Sequence, residues 1–319
     1  MHLSGLFNIQ YIISSLTESI TDVGSKVYLN QDFNLNQSPP LIPAKSDSLP
    51  VVIWHGLGDN YNSSGINQIK ELFDSIHPGI FVYSISLDED PSSDQQRSFF
   101  GDANVDIDQV CQTLSNITEL ATGFNAIGFS QGGLLLRGLI ERCSNITVYN
   151  LITFGSPHLG VSELPMCRPN DWLCKTRNNI LKRQVWLDKV QKHVIPAQYF
   201  RDPGEFEKYL EYSHFLADIN NERDDKNATY KDNFSNINKL VLVTFTEDTT
   251  LVPKDSAWFF DYDPDLKISI PFQQTKLYQD NYIGLKSLHE RNSIDFLSIK
   301  ADHMRIPEEF IRDIAITYL

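Results

Sequence analysis

The sequence predicts an α/β protein in which a mostly parallel sheet carries helices on both faces. Two observations lead to this prediction. Short apolar runs typical of buried strands alternate with longer runs whose apolar residues recur at helical spacing. Near the middle of the chain, an apolar strand at 124–129 passes directly into a helical run at the sequence GFSQG, residues 128–132. Alternation of this kind favours parallel pairing, because parallel strands need a helical crossover between them.

The first 49 residues are not expected to belong to the folded domain. Residues 1–20 are apolar but contain no Lys or Arg, and Asn8 and Gln10 interrupt the apolar run, so we interpret them as a weak signal peptide. Residues 21–49, which become rich in Pro, Ser and Asn, are expected to be an unstructured lead-in. Residues 50–319 are then expected to form a single domain. No later segment has the ~18 uninterrupted apolar residues of a membrane span.

The first half of this domain is predicted from apolar spacing. A strand at 51–54 is followed by His55-Gly56, and a helix that begins at Ser64 is ended by Pro78-Gly79. The remaining predicted segments are a strand at 80–87, a polar connection at 88–97, a helix at 105–117, the strand at 124–129 and the helix at 131–143.

The second half contains an insertion. Residues 157–238 have scattered Pro, Trp, Tyr and charged residues and no clear strand, so we expect a largely helical segment that lies over the sheet. Within it, residues 178–194 have one amphipathic face, which either packs on the body or walls a groove for an apolar substrate. The sheet is predicted from strands at 148–154, 240–245 and 293–299, and a closing helix is predicted at 306–319.

Three residues are the candidate catalytic groups. Ser130 is the central residue of G-x-S-x-G, a motif that places a nucleophilic serine on a sharp strand-to-helix turn. Asp248 follows the strand 240–245 and is preferred as the acid over its neighbour Glu247, which is expected to face solvent. His303 follows the last strand, so the order is serine, acid, histidine, as in α/β hydrolases. His158 also follows a strand, but it precedes the acid.

Two backbone amides are candidates for an oxyanion hole. In hydrolases of this type one amide belongs to the residue after the nucleophile, and the other to a loop after an early strand. These amides are the N–H groups of Gln131 and of Leu57, which follows His55-Gly56. A plain glycine turn after the strand is the alternative for the second segment.

Composition limits the classes of partner. The net charge of −14 and the pI of about 4.9 disfavour binding to nucleic acid, whose phosphates repel an acidic protein. The four cysteines fit two disulfides, although three pairings are open and free thiols are the cytosolic alternative. Six N-glycosylation sequons matter only for a secreted chain. They lie at Asn36, Asn62, Asn116, Asn145, Asn227 and Asn233.

Several stretches resemble one family. They are VIWHGLGD at 52–59, NAIGFSQGG at 125–133, FLADINNER at 215–223, DSAWF at 255–259, GLK at 284–286 and ADH at 301–303. The chain resembles the palmitoyl-protein thioesterases, lysosomal α/β hydrolases that remove fatty acyl groups from cysteine. The resemblance runs from about residue 50 to the end.

The resemblance implies specific roles. The family's catalytic residues fall on Ser130, Asp248 and His303, and its oxyanion amides fall on Leu57 and Gln131. By resemblance Cys111 pairs with Cys143, and Cys167 with Cys174. S-acylated proteins or peptides are the implied substrates, without metal or cofactor. We expect a monomer that enters the secretory pathway and is delivered to the lysosome or vacuole, or is secreted.

Two other functions use the same features. A lipase or carboxylesterase would use the same three residues on oxygen esters, and only the family stretches disfavour it. A non-catalytic lipid-binding protein of this fold is the second alternative, but such a protein has no need of a full Ser130, Asp248 and His303 set.

Overall fold

The computed structural model describes residues 48–163 and 184–319. Within these ranges a six-stranded sheet forms the centre of the molecule. Its strands are β1 (Val51–Trp54), β2 (Val82–Ser84), β3 (Phe124–Phe129), β4 (Val148–Phe154), β5 (Lys239–Phe245) and β8 (Ile294–Ile299). The sheet is parallel throughout, with strand order β2-β1-β3-β4-β5-β8. A short antiparallel ribbon pairs β6 (Asp261–Asp263) with β7 (Ile268–Ile270). The predicted α/β class with a parallel sheet is confirmed.

The helices cover both faces of this sheet. In chain order they are α1 (Ser64–Ile76), α2 (Pro91–Arg97), α3 (Ala103–Ser115), α4 (Gln131–Arg142), α5 (Asp188–His193), α6 (Ile195–Gln198), α7 (Phe206–Tyr212), α8 (Leu216–Ile219), α9 (Ala228–Ser235), α10 (Lys276–Gln279), α11 (Leu285–Glu290) and α12 (Glu308–Tyr318). Helices α5 to α9 occupy the chain between β4 and β5. No helix in the described ranges is both long and apolar enough to cross a membrane.

Alternation along the central strands divides the core into two layers. Val52 and Trp54 of β1 pack on one side of the sheet with α3 and α4, whereas Val51 and Ile53 pack on the other side with α1 and α12. Every residue of β1 and β3 is buried. Strands of this kind have apolar residues on both faces because helices cover both faces, which explains the continuous apolar runs in the sequence.

The connection at 88–97 is more ordered than the sequence analysis predicts. Residues 91–97 form α2, which Asp90 caps by accepting a hydrogen bond from the Ser93 amide. Pro91 occupies the first turn, where its missing N–H has no cost. The Asp-Pro pair is a helix-start signal that the prediction of a polar connection overlooked.

The predicted helical face at 178–194 is not one continuous helix. Residues 178–183 lie outside the described part, and after a turn at 185–187 the chain forms the separate helices α5 and α6. The buried amide of Gln191 donates to the carbonyls of Val185 and Ala197, both at 2.8 Å. A side chain thus satisfies backbone groups that a longer helix would have paired internally.

Candidate active site

Ser130 occupies the turn between β3 and α4. Its backbone has φ 50° and ψ −121°, a conformation that costs a non-glycine residue about 1–3 kcal/mol. The glycines around it permit this turn: a Cβ on Gly128 would lie 2.2 Å from the Cα of Gly133, and a Cβ on Gly132 would lie 2.2 Å from the carbonyl oxygen of Trp54. The strand and the helix therefore approach closely, and the Ser130 side chain is left at the carboxyl edge of the sheet.

Asp248 follows β5 and has a nearly inaccessible carboxylate, 1% exposed. One oxygen, Oδ1, accepts the amides of Thr250 and Leu251, both at 2.8 Å. The other, Oδ2, lies 2.6 Å from Nδ1 of His303. Two backbone bonds thus fix the carboxylate and leave one oxygen to face the imidazole.

His303 follows β8 and lies between the acid and the serine. Its Nε2 is 2.9 Å from the Oγ of Ser130. Because Asp248 can only accept when ionised, Nδ1 carries the proton and Nε2 is free to accept the serine hydroxyl. Asp302 holds the two loops together, since its Oδ1 accepts the amide and hydroxyl of Thr249, each at 3.0 Å.

The structure brings Ser130, Asp248 and His303 into one hydrogen-bonded chain and leaves their rivals outside it. Glu247 is exposed. His158 is fully buried, where its Nε2 faces the hydroxyl of Thr153 at 3.0 Å and its ring stacks on Phe259 at 4.5 Å. Burial first, and then the nearby charge of Arg137, keep the pKa of His158 well below its ordinary value.

The two candidate oxyanion amides flank the serine. Gln131 is the first residue of α4, so its N–H has no partner within the helix, and the positive end of the helix dipole lies there. Leu57 lies in the loop after β1, and a Cβ on its neighbour Gly56 would come within 3.3 Å of the Cβ of Ser130. Among the described residues, the Leu57 amide donates to no protein acceptor.

Asp94, which the sequence analysis did not select, supports that loop from below. Its carboxylate accepts the amides of Leu87 at 2.7 Å and Tyr61 at 2.9 Å, and pairs with Nε2 of His55 at 3.0 Å. The other ring nitrogen of His55 lies 3.0 Å from the carbonyl of Gly56. Both ring nitrogens therefore face acceptors, as in an imidazolium.

The pair is electrostatically coupled. Burial opposes the charge on His55, but the hydrogen bond and the charge of Asp94 outweigh it and raise the pKa of His55. Burial likewise opposes the charge on Asp94, and the contacts with His55 and the two amides outweigh it and lower the pKa of Asp94. No sequence pattern links residues 39 positions apart, which is why this pair could be found only in the fold.

A groove of about 1260 Å³ opens over Ser130 and His303. Its walls come from the loop after β1, from α1, from the start of α12 and from the insertion. Apolar side chains that line it include Phe99, Val161, Leu251, Ile69, Leu72 and Ile306. The volume exceeds the ~300–1,000 Å³ that is usual for small-molecule sites.

The predicted cysteine and glycan sites fall in different environments. Cys111 and Cys143 form a disulfide that joins α3 to the end of α4, which is the pairing implied by resemblance. Cys167, Cys174 and Asn36 lie outside the described residues. Asn233 is half-buried, and its Nδ2 donates to the carbonyl of Glu141 at 3.0 Å. The exposed sequon asparagines are Asn62, Asn116, Asn145 and Asn227.

In residues 48–163 and 184–319, no three His, Cys, Asp or Glu side chains are grouped in a way that could hold a metal ion. At Ser130 the side chains and backbone provide a hydroxyl, an imidazole and N–H donors.

Comparison with known proteins decides the family. A family model described as palmitoyl protein thioesterase matches residues 50–303. The chain belongs to the palmitoyl protein thioesterase family.

Two relatives of similar sequence agree with this membership. Palmitoyl-protein thioesterase 1 of Caenorhabditis elegans is 40% identical over 273 residues, 85% of this chain and 91% of the relative. A lysosomal thioesterase PPT2 homolog of Drosophila melanogaster is 30% identical, over 77% of this chain and 82% of the relative. The crystal structure of a monoacylglycerol lipase from Paleococcus ferrophilus has a TM-score of 0.43 at 16% identity, covering 83% of this chain and 92% of that chain.

The thioesterase stretch 215–223 is largely buried against the helix that follows the nucleophile. The guanidinium of Arg137, fully buried in α4, donates to Oδ1 of Asn220 at 2.8 Å and to Oε1 of Glu141 at 3.0 Å. Asn220 thereby attaches the insertion to α4. This contact gives the family stretch a structural role behind the active site.

Proposed function

We propose that the chain is a serine hydrolase that removes long-chain fatty acyl groups, palmitate above all, from cysteine thioesters of S-acylated proteins or peptides. The observation that carries the proposal is the chain of contacts from Asp248 Oδ2 through His303 to Ser130 Oγ, 2.6 and 2.9 Å long, at the floor of a large apolar groove. Membership in the thioesterase family supports the choice of substrate.

In the first step His303 accepts the proton of Ser130 at Nε2 as Oγ attacks the thioester carbonyl. Asp248 stabilises the imidazolium that forms and keeps Nδ1 protonated. The amides of Leu57 and Gln131 donate to the developing oxyanion. The tetrahedral intermediate collapses as its C–S bond breaks, and an acyl-serine remains. The cysteine sulfur, whose thiol has an ordinary pKa of about 8.5, leaves readily and takes the proton from Nε2 of His303, so that the imidazole is neutral again.

In the second step water replaces the thiol. His303 accepts a proton from the water as it attacks the acyl-serine carbonyl, and the same two amides stabilise the second oxyanion. Collapse of this intermediate returns the proton to Ser130 and releases the fatty acid.

The size and apolar walls of the groove favour a substrate with a long acyl chain. Each CH₂ transferred from water to apolar walls contributes about 0.8 kcal/mol, or about a fourfold gain in kcat/KM while the chain stays within the groove. Lysosomal names among the relatives support a location in the lysosome or elsewhere in the secretory pathway, and the Cys111–Cys143 disulfide suits an oxidising compartment.

The decisive experiment compares release of fatty acid from a palmitoyl-cysteine peptide with release from the matched palmitoyl-serine oxygen ester. A Ser130→Ala variant provides the control, and an acyl series of increasing length tests the groove. We expect fast cleavage of the thioester, slower cleavage of the oxygen ester, loss of both in Ser130→Ala, and a rise in kcat/KM with chain length.

Other results would assign a different function. Equal or faster cleavage of the oxygen ester would identify a lipase or carboxylesterase. A folded wild-type protein that cleaves neither substrate and does not react with a fluorophosphonate at Ser130 would be a lipid-binding protein, and the proposal would be wrong.

A further inference from the structure

Ser98, the residue after α2, contacts both segments that carry the candidate oxyanion amides. Its side-chain Oγ accepts the amide of Gly58, the residue after Leu57, at 2.8 Å. Its backbone carbonyl accepts Nε2 of Gln131 at 2.9 Å. Ser98 is 4% exposed and does not line the groove, so any effect on the reaction is indirect.

The hydroxyl of Ser98 has a defined orientation. Its one proton is donated to the carbonyl of Gln95 at 2.6 Å, which leaves the oxygen lone pairs for Gly58. The same Gly58 peptide receives a second contact, because Nε2 of Gln95 donates to its carbonyl oxygen. Both polar groups of Gly58 are thus held by the end of α2.

The Gln131 side chain is equally constrained. It is 2% exposed, and while Nε2 donates to Ser98, Oε1 accepts the hydroxyl of Tyr199 at 3.1 Å. Burial raises the pKa of Tyr199 far above its ordinary value, so the hydroxyl remains a donor. The side chain cannot rotate without breaking two buried hydrogen bonds, and the backbone amide of Gln131 is fixed with it.

The loop needs such support because its own sequence provides little rigidity. Gly56 and Gly58 flank Leu57, and Gly58 has a φ of 78°, a conformation open to glycine. An oxyanion donor is effective only within about 2.7–3.1 Å of the charge that develops. A displacement of about 1 Å can reduce a rate 100-fold.

We propose that Ser98 is a positioning residue that holds the oxyanion amides of Leu57 and Gln131 at a fixed separation, by accepting Gly58 N–H at Oγ and Gln131 Nε2–H at its carbonyl. The proposal rests on the proposed function, in which these amides stabilise the two tetrahedral intermediates. It predicts that loss of the Ser98 hydroxyl weakens binding of the transition state and leaves binding of the ground state unchanged.

The test uses the full chain with Ser98→Ala, which removes the contact to Gly58 and retains the carbonyl. On a palmitoyl-cysteine peptide we expect kcat to fall about 10- to 100-fold, with KM within about twofold. An alkyl trifluoromethyl ketone, whose adduct with Ser130 carries an oxyanion, is expected to lose affinity by the same factor as kcat/KM. Affinity for free palmitate should not change. Loss of stability alone would lower the active fraction without changing the affinity of the remaining sites.

Two further variants serve as controls. Ser98→Thr keeps the accepting oxygen and is expected to restore most of the rate. Ser84→Ala removes another buried serine hydroxyl, which has no partner among the described residues, and is expected to behave as wild type. Should Ser98→Ala fail to fold, Gln131→Met breaks the other contact of Ser98 and is expected to weaken ketone binding in the same way.

The possible failures can be told apart. If the wild-type chain does not cleave the thioester, the proposed function is refuted, because palmitoyl thioesters are then not its substrate. An active wild type with a Ser98→Ala variant of unchanged ketone affinity, whether or not kcat falls, overturns the positioning role. So does unchanged ketone affinity in Gln131→Met when Ser98→Ala cannot be obtained.

Discussion

The two carboxylate oxygens of Asp248 have different partners. Oδ1 is held by the amides of Thr250 and Leu251, and Oδ2 faces His303. The loop that contains Asp248 therefore orients the carboxylate through backbone hydrogen bonds, independently of His303. An isosteric amide at this position would place its oxygen on the two backbone donors and its NH₂ toward His303.

Asp248→Asn is expected to lower kcat by about 10³- to 10⁴-fold with little change in KM. The asparagine NH₂ forces Nδ1 of His303 to accept, so that Nε2 carries the proton and can no longer accept one from Ser130. Steady-state kinetics on a palmitoyl thioester will measure the loss. Glu247→Gln, on the exposed neighbour, should leave kcat unchanged. A residual rate above about a tenth of wild type in Asp248→Asn would contradict this role.

Catalytic residues can be predicted from the sequence when their position after a strand identifies them. Ser130, Asp248 and His303 each follow a predicted strand, and parallel strands place their carboxyl ends at one edge of the sheet. Asp94 and Ser98 follow no such rule. Their partners are mostly backbone groups and buried side chains tens of residues away, and an ordinary helix end in the sequence does not indicate them.

The contact between β1 and α4 leaves no room for an added side chain at Gly132. A Cβ on Gly132 would lie 2.2 Å from the Trp54 carbonyl oxygen and 2.4 Å from that of His55. Both obstacles are backbone atoms of a fully buried strand end, so neither can move aside as a flexible side chain would.

Gly132→Ala is expected to destabilise the fold by about 3 kcal/mol, near the upper end of the range for overpacked cores, and to abolish most activity. The added methyl pushes α4 away from β1 and displaces the Gln131 amide. Urea unfolding will give the free energy, and Gly204→Ala is the matched control, because its Cβ would meet only Asp202 Oδ1 at 3.3 Å. Equal stability of Gly132→Ala and Gly204→Ala would contradict the close approach of α4 to β1.

The disulfide between α3 and α4 makes a separate prediction. It closes a loop of 32 residues, for which chain entropy gives about 3.5–4 kcal/mol. In urea titrations, a double Cys111→Ser, Cys143→Ser variant should have a free energy of unfolding that is lower by that amount. The folded variant should keep its kcat, since neither cysteine lines the groove. A change below about 1 kcal/mol would indicate that the bond contributes little.

Element boundaries follow from the sequence wherever both faces of an element are buried. The strands at 51–54, 124–129 and 148–154 have the predicted limits. In the described part of the predicted helix face, a turn at 185–187 interrupts the helix, and the side chain of Gln191 donates to the carbonyls of Val185 and Ala197. Apolar spacing reports which residues are buried, and it does not report which backbone groups find partners elsewhere.

For the whole molecule, buried titratable groups set how stability depends on pH. Burial, only partly offset by Arg137, raises the pKa of Glu141 to about 8 from its ordinary 4.5. The native state therefore holds this proton more tightly than the unfolded chain, and stability falls as pH rises through that window. The raised pKa of His55 acts in the same direction, with stability present below 6.5 and lost as pH rises through the folded pKa.

The lowered pKa of His158 acts in the opposite direction below pH 6.5, because this ring is neutral in the fold and gains a proton on unfolding. We therefore expect the melting temperature to be a few °C lower at about pH 8 than at about pH 6.5. Glu141→Gln retains the oxygen that accepts from Arg137 and removes the titration, so it should flatten the decline without altering Ser130 chemistry. Below pH 3.8 the melting temperature is expected to fall as the pH falls. The pKa of Asp94 is lowered in the folded state, so its stabilising charge is lost as the pH falls through that folded pKa. Calorimetry from about pH 3 to pH 8 will measure both trends, and a melting temperature that rises between pH 6.5 and 8 would refute the assignment.

The net charge and the apolar pattern describe this molecule as a whole but do not fix its pH response. An acidic pI can be read from composition. Whether the pKa of a given carboxylate is raised or lowered depends on its burial and on neighbours such as Arg137, and both arise only on folding.

The position of β8 also orders events in time. Among the described residues, strand β8 pairs with β5 alone, and it precedes His303, which is 173 residues beyond Ser130. At about 5–20 residues per second, a ribosome needs about 9–35 s to travel from the serine codon to the histidine codon. Throughout that interval the nascent chain carries Ser130 without the imidazole that is proposed to activate it. Under the proposed mechanism, the serine therefore stays unreactive until β8 has joined the sheet.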